Sequence, residues 1–366
     1  MWQEFQNTYK GKKVFVTGHT GFKGAWLTQT LHMLGADITG YSLAPYYDNN
    51  LYEILSLDGK CHSIIADIRD AQKLKSEIKI CNPDFIFHLA AQPLVRASYD
   101  DPHDTYSSNV MGTLNVLDGI RHLEKAVSSV LITTDKVYEN NESGTAFKES
   151  DKLGGYDPYS SSKACCEILI DSFVRSFYHI DKYDEHQKAI GSCRAGNVIG
   201  GGDWATDRLV PDIIRALKKN ESIEIRSPQA VRPWQHVIEP IFGYLLLGQQ
   251  LTRNPQKFAG AYNFGPTKED ILSVLEVVEK AIDIWGSGSY DAKINPNAPH
   301  EAEILKLDCS KAREVLEWRP VWNVNQCLQN TMEWYRTNFE NPSGSEEKLN
   351  EQIRSYIDQW EAAKIA

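Results

Sequence analysis

Short apolar runs alternate along this chain with longer segments in which apolar residues recur every three or four positions. The short runs predict buried strands at residues 12–16, 37–41, 63–67, 84–91 and 189–194, with a further run that ends at residue 132. The longer segments predict helices at residues 71–80, 104–121 and 159–178, and an earlier helix in which Leu27, Leu31 and Leu34 form one apolar stripe. Strands and helices that alternate at this spacing predict an α/β fold with a doubly wound parallel sheet.

The regular alternation ends near residue 195, which predicts a second, smaller lobe. Residues 195–204 are too rich in glycine for regular structure, and a helix at 209–217, a strand at 222–225 and a loop at 226–234 follow. A helix at 237–251 and a strand at 262–264 are expected to return to the sheet, and Pro296, Pro299 and His300 mark another loop. The last stretch, with Leu349 and Trp360 on one face, predicts an amphipathic helix that covers the second lobe. We therefore expect a sheet domain in residues 1–195 that also receives about 235–265, and a C-terminal lobe in 196–366.

The first strand runs directly into a glycine-rich turn and then a helix. The turn reads Gly18-His19-Thr20-Gly21-Phe22-Lys23-Gly24. Glycines let the backbone approach a pyrophosphate, whose charge rests on the helix N-terminus. A tight turn without a ligand is the alternative, but the position of this turn after the first strand favours a dinucleotide-binding Rossmann domain.

The ends of two other strands bear on which dinucleotide binds. The second strand ends in Tyr41-Ser42-Leu43-Ala44, without the carboxylate that binds the adenosine ribose and without a lysine or arginine for a 2′-phosphate. We therefore expect NAD rather than NADP, and a loosely held NAD. The run at 84–91 ends in Leu89-Ala90-Ala91, where small residues let backbone pass close to a cofactor.

The candidate catalytic residues follow the run that ends at residue 132. Thr133, Thr134, Asp135 and Lys136 come at its end, and the helix at 159–178 begins with Tyr159 and Lys163 on one face. An ammonium about 4 Å from a phenolate, at an effective dielectric of about 20, is worth about 4 kcal/mol. We expect this pairing to bring the pKa of the phenol toward neutral pH, as a general base requires. A surface helix pair is the alternative interpretation of Tyr-x-x-x-Lys alone.

Composition and charge exclude several classes of partner. Apolar residues make up 42% and charged residues 24% of the 366 residues, which is ordinary for a water-soluble protein, and the net charge of −10 argues against nucleic acid or an anionic membrane. No apolar run approaches about 20 residues, and the first residues do not predict a signal peptide. The seven cysteines are scattered without Cys-x-x-Cys spacing, and His19, His88 and His300 show no ligand spacing. We expect a reduced, cytoplasmic protein without a metal site.

Together these motifs resemble the extended short-chain dehydrogenase/reductase family. The matching positions are Thr17-Gly18-x-x-Gly21-x-x-Gly24, Leu89-Ala90-Ala91, Asn109, Thr134, Tyr159-x-x-x-Lys163 and Arg194-x-x-Asn197. Within the family, Thr134-Asp135 before Val137-Tyr138 is similar to the nucleotide-sugar 4,6-dehydratases. Segments 19–24, 135–138, 201–204 and 232–236 are most similar to the branch that acts on CDP-glucose. The resemblance covers about residues 10–335.

The resemblance implies which residues bind the cofactor and the substrate. For NAD they are Gly18, Thr20, Gly21, Phe22, Lys23, Gly24, Asp67, Ile68, Leu89, Ala90, Ala91, Ser108, Thr133, Tyr159 and Lys163. For the nucleotide sugar CDP-glucose they are Gln92, Thr134, Asn197, Arg208, Leu209, Val210, Arg226, Arg232 and Asn263. The arginines suit a diphosphate because each offers bidentate donors. The recognition of cytosine rests on the resemblance alone.

The resemblance also implies a reaction. Tyr159 would take the proton of the sugar 4-hydroxyl while hydride leaves C4, with Thr134 on the same oxygen, and Asp135 would protonate the departing 6-hydroxyl. Relatives that act on dTDP- or GDP-sugars usually carry glutamate where this chain has Lys136. Lys136 is the candidate base for the C5 proton, and the alternatives are that it stabilises the enolate oxygen or only pairs with Asp135. The product would serve deoxysugar synthesis, including lipopolysaccharide O-antigen.

Two other functions and the assembly state complete these expectations. A 4-epimerase of the same fold would use Tyr159, Lys163 and NAD but has no use for Asp135-Lys136. A non-catalytic NAD-sensing module would be expected to lose Tyr159 or Lys163.

The helices at 105–121 and 159–178 carry apolar residues on more than one face, including Leu169, Ile170, Phe173 and Phe177. Since the equivalent helices pair in the resembled family, we expect a homodimer or a dimer of dimers.

Overall fold

The computed structural model describes residues 2–140, 142, 144–267, 270–292 and 305–365. The strands are β1 Lys13–Thr17, β2 Asp37–Ser42, β3 His62–Ile65, β4 Phe85–His88, β5 Val127–Ile132, β6 Lys188–Ala195, β7 Val198–Ile199, β8 Ile223–Ile225, β9 Val231–Pro233, β10 Gln235–His236, β11 Gly260–Phe264, β12 Ile271–Ser273 and β13 Tyr290–Ala292. The helices are α1 Trp2–Tyr9, α2 Phe22–Met33, α3 Leu51–Ile54, α4 Ala71–Cys81, α5 Val95–Asp100, α6 Pro102–Tyr106, α7 Gly112–Arg121, α8 Pro158–Phe177, α9 Tyr183–His186, α10 Leu209–Lys219, α11 Ile238–Arg253, α12 Pro255–Phe258, α13 Val274–Trp285, α14 Ser310–Val315, α15 Val324–Glu340 and α16 Ser345–Ile365.

The central sheet has seven strands in the order β11-β6-β5-β4-β1-β2-β3. All its neighbouring strands run parallel; Val14 of β1, for example, pairs with Ile38 of β2 on one side and Phe85 of β4 on the other. The predicted doubly wound sheet is confirmed, and β11 joins it beside β6 as expected. Because the order reverses at β1, a crevice opens between the carboxyl ends of β1 and β4, where such sheets bind ligands.

Two segments that the sequence predicted as loops contain short strands. In the glycine-rich segment, β7 pairs with β10, and in the segment at 226–234, β9 pairs antiparallel with β12. A third pair joins β8 to β13. The prediction was wrong for these segments because strands of two or three residues are too short for a period-two pattern to be recognised.

Helix α2 is buried on all sides, which corrects the prediction of a single apolar stripe. Its outer face is covered as well: Trp26 Nε1 donates to the carbonyl of Gly201 at 3.0 Å, and Gln29 Nε2 donates to Asn350 of α16 at 2.8 Å. The first helix of the sheet therefore lies inside the molecule, and its N-terminus is held rigidly at the crevice.

The helix predicted at 104–121 begins at Pro102 and contains a π turn, Ser107–Met111, between α6 and α7. The π turn turns the side chain of Asn109 inward, where Nδ2 donates to Ser162 Oγ at 2.8 Å and Oδ1 accepts from the N–H of Gln92 at 2.8 Å. Asn109 thus ties α8 to the segment that follows β4. The predicted helix is confirmed apart from its start, which is two residues earlier, and its π turn, which a simple helical period does not reveal.

The C-terminal helix α16 packs on α15 of the second lobe, as predicted, where Gln352 Nε2 donates to the carbonyl of Asn330 at 2.8 Å and Lys348 pairs with Glu333 at 2.9 Å, and it also packs on α11. Tyr356 and Trp360 contact the ring of Phe242 on α11, at centroid distances of 4.9 and 5.8 Å. The contact with α11 was not visible from periodicity. Pro296, Pro299 and His300 lie outside the described residues. Among the described helices, none is long and apolar enough to cross a bilayer.

A buried carboxyl joins α11, α16 and the segment before α15. Glu239 is fully buried, and it accepts hydrogen bonds from Tyr356 Oη (2.6 Å) and from the backbone N–H groups of Val321 (3.0 Å) and Trp322 (2.7 Å). Burial, opposed by these hydrogen bonds and reinforced by the nearby Asp270 carboxylate, raises the pKa of Glu239 to about 7. The folded protein therefore binds a proton here at pH values where the unfolded chain has lost it.

Because of this proton, the free energy of unfolding depends on pH, and the direction of the change can be predicted. Since the folded pKa of Glu239 lies above its unfolded value, the free energy of unfolding should fall as pH rises from about 4.5 to about 7, by about 3 kcal/mol, and then level off. In Glu239→Gln, where a neutral amide keeps the same shape, this fall should be absent. The check is the melting temperature at both ends of that range, with the exposed-site variant Glu124→Gln as control. Equal pH dependence in wild type and Glu239→Gln would contradict the assignment.

Candidate active site

The glycine turn after β1 has the shape of an anion cradle. Gly18 has φ of +79°, and a Cβ there would lie 2.7 Å from the backbone nitrogen of Ala90, while a Cβ at Gly24 would lie 1.9 Å from the carbonyl oxygen of Gly18. Packing therefore requires glycine at both positions. At Gly21 a Cβ would meet only the Gly18 oxygen, at 3.4 Å, so packing does not demand this glycine. Gly21 is exposed at the N-cap of α2, where an open approach and free N–H groups suit a phosphate.

The other predicted cofactor residues surround this turn. Thr20 Oγ1 bonds Ser42 Oγ at 2.8 Å and donates to the carbonyl of Leu43 at 2.9 Å, which fixes the turn to the end of β2. Thr17 Oγ1 accepts from the N–H groups of Leu89 and Ala90 at 3.1 and 3.2 Å, which holds the end of β4 close by. The remaining positions lie in the first turn of α2 (Phe22), after β3 (Asp67 and Ile68), after β4 (Ala91), in the π turn (Ser108) and after β5 (Thr133). The residues present fit a dinucleotide.

Thr134 and Tyr159 meet at the carboxyl end of β5. Thr134 is the N-cap of a short 3-10 turn, Asp135–Val137, and Tyr159 lies in the first turn of α8, whose N-cap Asp157 accepts from the N–H of Ser160 at 2.9 Å. The N–H of Tyr159 donates to Ser98 Oγ at 3.1 Å, so α5 also fixes its position. Thr134 and Tyr159 are buried, and their hydroxyls interact.

The pKa of Tyr159 corrects an expectation. Lys163 is buried and donates to the carbonyl of Ile132 at 3.3 Å. Burial raises the pKa of Tyr159 to about 12, opposed by a hydrogen bond from Thr134, so the predicted lowering of that pKa by Lys163 was wrong for the protein as described. The desolvation of a buried phenolate outweighs the hydrogen bond with Thr134 and the charge of Arg208. Burial also lowers the pKa of Lys163.

Asp135 is a buried acid surrounded by cations. Burial raises its pKa, against the opposing charge of Lys136, a hydrogen bond from Thr134 Oγ1 at 3.0 Å, and the charges of Arg232 and Lys23. A carboxyl group in this environment retains its proton more readily than an exposed one, which suits a proton donor. Lys136 is half-buried beside it.

Lys23 reaches this cluster from the glycine turn. Its Nζ donates to Tyr244 Oη at 3.4 Å, and desolvation, with the charges of Arg208 and Lys163 acting in the same direction, lowers its pKa to about 8. The sequence placed Lys23 among the cofactor residues by motif position alone. The structure adds that its charge acts on Asp135.

The predicted substrate arginines divide into two groups. Arg208 donates to Asp203 at 2.9 Å, and its positive charge acts to lower the pKa of Tyr159. Arg232 lies on β9, and its positive charge acts to lower the pKa of Asp135. Leu209 and Val210 follow Arg208 as the first turn of α10, and Asn197 is half-buried beyond β6. Arg226 instead lies farther out, paired with Asp207 at 2.6 Å.

Two residues predicted to contact substrate already form hydrogen bonds within the protein. Gln92 uses its amide within the protein, donating to Thr105 Oγ1 at 2.8 Å and accepting from the N–H of Leu94 at 2.5 Å. Asn263 is fully buried, and its amide accepts from Tyr138 Oη at 2.6 Å and donates to two backbone carbonyls. The contact of Gln92 and Asn263 with substrate stays a prediction, and it would have to coexist with these hydrogen bonds.

Sequence reasoning missed the network beneath the site. Glu167 accepts from Thr133 Oγ1 at 2.5 Å, from Ser192 Oγ at 3.0 Å and from Arg194 Nη2 at 2.8 Å. Arg194 also donates to Tyr138 Oη at 2.9 Å. The available signal was spacing: Glu167 stands four residues after Lys163 on the same face of α8.

Two of the histidines are core residues, as expected. His88 bonds Thr17 Oγ1 at 2.8 Å and Thr113 Oγ1 at 3.1 Å, and burial lowers its pKa to about 3. His19 bonds Ser63 Oγ at 2.7 Å, and burial lowers its pKa to about 4. Both are therefore neutral supports of the glycine turn.

With this fold and site, the chain belongs to the GDP-mannose 4,6 dehydratase family, whose model matches residues 15–331. It is 45% identical over 331 residues to CDP-glucose 4,6-dehydratase of Salmonella typhimurium (strain LT2), which covers 90% of this chain and 92% of that enzyme. A UDP-glucose 4-epimerase of Mycoplasma pneumoniae is 24% identical, over 88% of this chain and 96% of its own. The predicted family resemblance is confirmed.

Among solved structures, a double mutant of dTDP-glucose 4,6-dehydratase from Streptomyces venezuelae, with NAD bound, superimposes with a TM-score of 0.76. That match has 22% identity and covers 90% of this chain and 98% of the other. At this identity the likeness establishes the fold.

Proposed function

We propose that the protein is an NAD-dependent hydro-lyase that converts CDP-D-glucose to CDP-4-keto-6-deoxy-D-glucose. The observation that carries the proposal is the 45% identity to a CDP-glucose 4,6-dehydratase over nearly the whole chain. The site supports it, because a phenol, a hydroxyl and a buried protonatable acid meet at the end of β5, beside a dinucleotide cradle.

The first step is oxidation at C4 of the sugar. Tyr159 accepts the proton of the 4-hydroxyl, and Thr134 hydrogen-bonds the same oxygen. NAD, held by the glycine turn and the carboxyl ends of the neighbouring strands, would supply hydride chemistry here, as the acceptor for the hydride from C4 and later the donor to C6. Lys163 keeps the first turn of α8 and the end of β5 together through the carbonyl of Ile132.

The second step is loss of water across C5 and C6. The 4-ketone acidifies the C5 proton, Lys136 accepts that proton, and Asp135 gives its proton to the 6-hydroxyl, which leaves as water. The raised pKa of Asp135, caused by burial, favours this donation. Arg208, Arg232 and the first turn of α10 are the proposed diphosphate contacts near the sugar.

The division of labour between the parts of the chain is also a proposal. Residues 1–195 with about 235–265 would hold the cofactor, and the rest of 196–366 would hold the nucleotide sugar. Strand β11 in the central sheet and the position of Arg208 and Arg232 support this division.

A panel of nucleotide sugars tests the function. Purified protein with NAD should convert CDP-glucose to a 4-keto-6-deoxy product, and should turn over the dTDP-, GDP- and UDP-linked glucoses or mannoses far more slowly. Tyr159→Phe should lower kcat by at least about 100-fold, because the proton acceptor is lost. Formation of CDP-galactose would indicate an epimerase, and no turnover of any sugar would indicate a binding module.

The base at C5 is the least conventional part of the scheme, because lysine ordinarily holds its proton at neutral pH. Lys136 is adjacent to Asp135 and half-buried, so substrate would displace water from it. A neutral amine in a fraction of complexes suffices for proton abstraction. The rival scheme keeps Lys136 charged and uses another group.

The variant Lys136→Ala separates these schemes. We expect it to oxidise C4 but to stall before elimination, so that reduced-nicotinamide absorbance accumulates and no deuterium enters C5 from heavy water. Lys152→Ala is the matched control, since Lys152 is an exposed lysine of the loop that follows, paired with Glu139; it should retain exchange at C5. Exchange at the wild-type rate in Lys136→Ala would show that Lys136 is not the base.

The homodimer remains a proposal, with its surface now better defined. Ile170 is buried, and Leu169 and Phe173 pack against the core, so these residues face inward. The outward apolar residues on α6–α8 are Tyr106, Met111, Ile168 and Phe177, which are 37 to 56% exposed. We propose that this face pairs with a second copy.

Light scattering tests this assembly. Wild type at micromolar concentration should show about twice the monomer mass of 41.4 kDa, or about four times that mass for a dimer of dimers. Ile168→Glu should shift it to the monomer, because a charge in a paired apolar face is costly. Ile80→Glu, at an apolar residue of α4 that is 71% exposed, should not. A monomeric wild type would contradict the proposal.

The compartment and pathway complete the proposed function. The seven cysteines carry free thiols, which supports a reducing compartment such as the cytoplasm. A 4-keto-6-deoxy sugar nucleotide is a precursor for further deoxysugars, including those of lipopolysaccharide O-antigen.

A further inference from the structure

Lys23 connects the glycine turn to the buried acid. It is the second residue of α2, in the helical turn that follows Gly21, and its side chain runs inward, where Nζ donates to Tyr244 Oη of α11 at 3.4 Å. The charge of the same amine acts on Asp135. The family motif places Lys23 among the cofactor residues, but it gives the amine no chemical role.

The amine of Lys23 offers more hydrogen-bond donors than its surroundings use. A charged lysine amine carries three hydrogen atoms that can be donated. Among the residues that the structure describes, its hydrogen-bond acceptor is Tyr244, and that bond is long. Donors of Lys23 therefore remain for an anionic ligand that reaches the first turn of α2.

Among the described residues, the groups that face Lys23 come from five parts of the fold. They are Tyr244 on α11, Asp135 after β5, Lys163 on α8, Cys193 on β6 and Arg208 before α10. Burial lowers the pKa of Lys23 most, and the charges of Arg208 and Lys163 act in the same direction, against Asp135 and the thiol of Cys193. The resulting pKa of Lys23 is about 8, so part of the amine is uncharged near neutral pH.

A dinucleotide brings the negative charge that this environment lacks. Its pyrophosphate would rest on the N-terminus of α2, where the exposed N-cap Gly21 leaves the approach open. Lys23 lies in the first turn of that helix, so the anion and the amine come close together. An opposite charge nearby favours the protonated form of a lysine.

We propose that Lys23 takes up a proton from solvent when the dinucleotide binds, and that the ammonium so formed lies between the pyrophosphate and Asp135. In the loaded protein, Lys23 then stays charged at pH values where the free protein loses that charge. Occupation of the glycine turn thus sets the charge that acts on Asp135. The inference needs the dinucleotide site but not the identity of the sugar.

The direction of the pH dependence follows from this proton uptake. Because the pKa of Lys23 is about 8 in the free protein and higher in the complex, the affinity for NAD is greatest below about pH 8 and falls above it. When the complex keeps Lys23 protonated, the Kd for NAD should rise about 10-fold between about pH 7 and about pH 9. NAD itself has no group that titrates in this range.

Calorimetric titration of the full-length protein with NAD, in two buffers of different ionisation enthalpy, measures this proton. At about pH 8 wild type should take up about half a proton for each NAD bound, and at about pH 6.5 almost none. ADP-ribose, which carries the same pyrophosphate without the nicotinamide, should give the same uptake. The readout does not depend on turnover of any sugar.

Three variants separate the amine of Lys23 from its neighbours. Lys23→Met should abolish the uptake and raise the Kd at neutral pH by about 10-fold, as expected for loss of a charge-assisted contact. Lys23→Arg, which keeps its charge throughout the range, should bind NAD without uptake. Asp135→Asn should move the uptake to lower pH, because the carboxylate of Asp135 acts to raise the pKa of Lys23.

The matched control is the same substitution at an exposed lysine. Lys12 lies just before β1, at the opposite end of the strand from the glycine turn, so Lys12→Met should behave like wild type. Circular dichroism shows whether each variant is folded. The titrations of wild type and Asp135→Asn test the proposal without any change at Lys23.

The possible results separate this inference from the proposed function. Binding of NAD to wild type at about pH 8 without proton uptake would overturn the proposal, and so would uptake that persists in folded Lys23→Met. Uptake at the same pH in wild type and Asp135→Asn would overturn the link to Asp135. Proton-coupled binding of NAD without turnover of CDP-glucose would reject the proposed substrate and leave the role of Lys23 in place. Failure to bind NAD at any pH would overturn both.

Discussion

The site depends on one buried ion pair, between Glu167 of α8 and Arg194 of β6, joined at 2.8 Å. Both side chains are at least 95% buried, so removing either partner would leave an unpaired charge in the interior, which typically costs about 3–5 kcal/mol. Glu167 also accepts from Thr133, the residue before Thr134, and Arg194 holds Tyr138, two residues beyond Lys136. The pair thus fixes both ends of the 133–138 segment and the helix that carries Tyr159.

A chain with a net charge of −10 concentrates cations at this one place. The charges of Lys136, Arg232 and Lys23 act to lower the pKa of Asp135, but burial outweighs them and raises it. Desolvation opposes every charge in this pocket, which explains the raised pKa of Tyr159 and the lowered pKa of Lys163 by the same physical cause. An anionic nucleotide sugar enters a region that is locally positive, so electrostatic attraction and the overall acidity of the chain do not conflict.

The sequence predicted the central sheet, the glycine turn and the positions of Tyr159 and Lys163, because strand periodicity, glycine geometry and helical spacing are local. It did not predict the pKa of Tyr159, since desolvation depends on what covers the phenol. The family resemblance predicted substrate contacts for Gln92 and Asn263. Their amides form hydrogen bonds with Thr105 and Tyr138, which local sequence patterns do not reveal. Arg96 and Asp207 form an ion pair although they stand 111 residues apart along the chain, and no sequence pattern predicted this pair.

The central claim is that hydride leaves C4 and returns to C6 of the same sugar within a dehydration. CDP-glucose deuterated at C4, incubated with the protein and NAD, tests this claim most directly, with the product read by mass spectrometry and NMR. The account predicts a 4-keto-6-deoxy product that carries the deuterium at C6. Deuterium that remains at C4 of a CDP-hexose, or is lost to solvent, would contradict it.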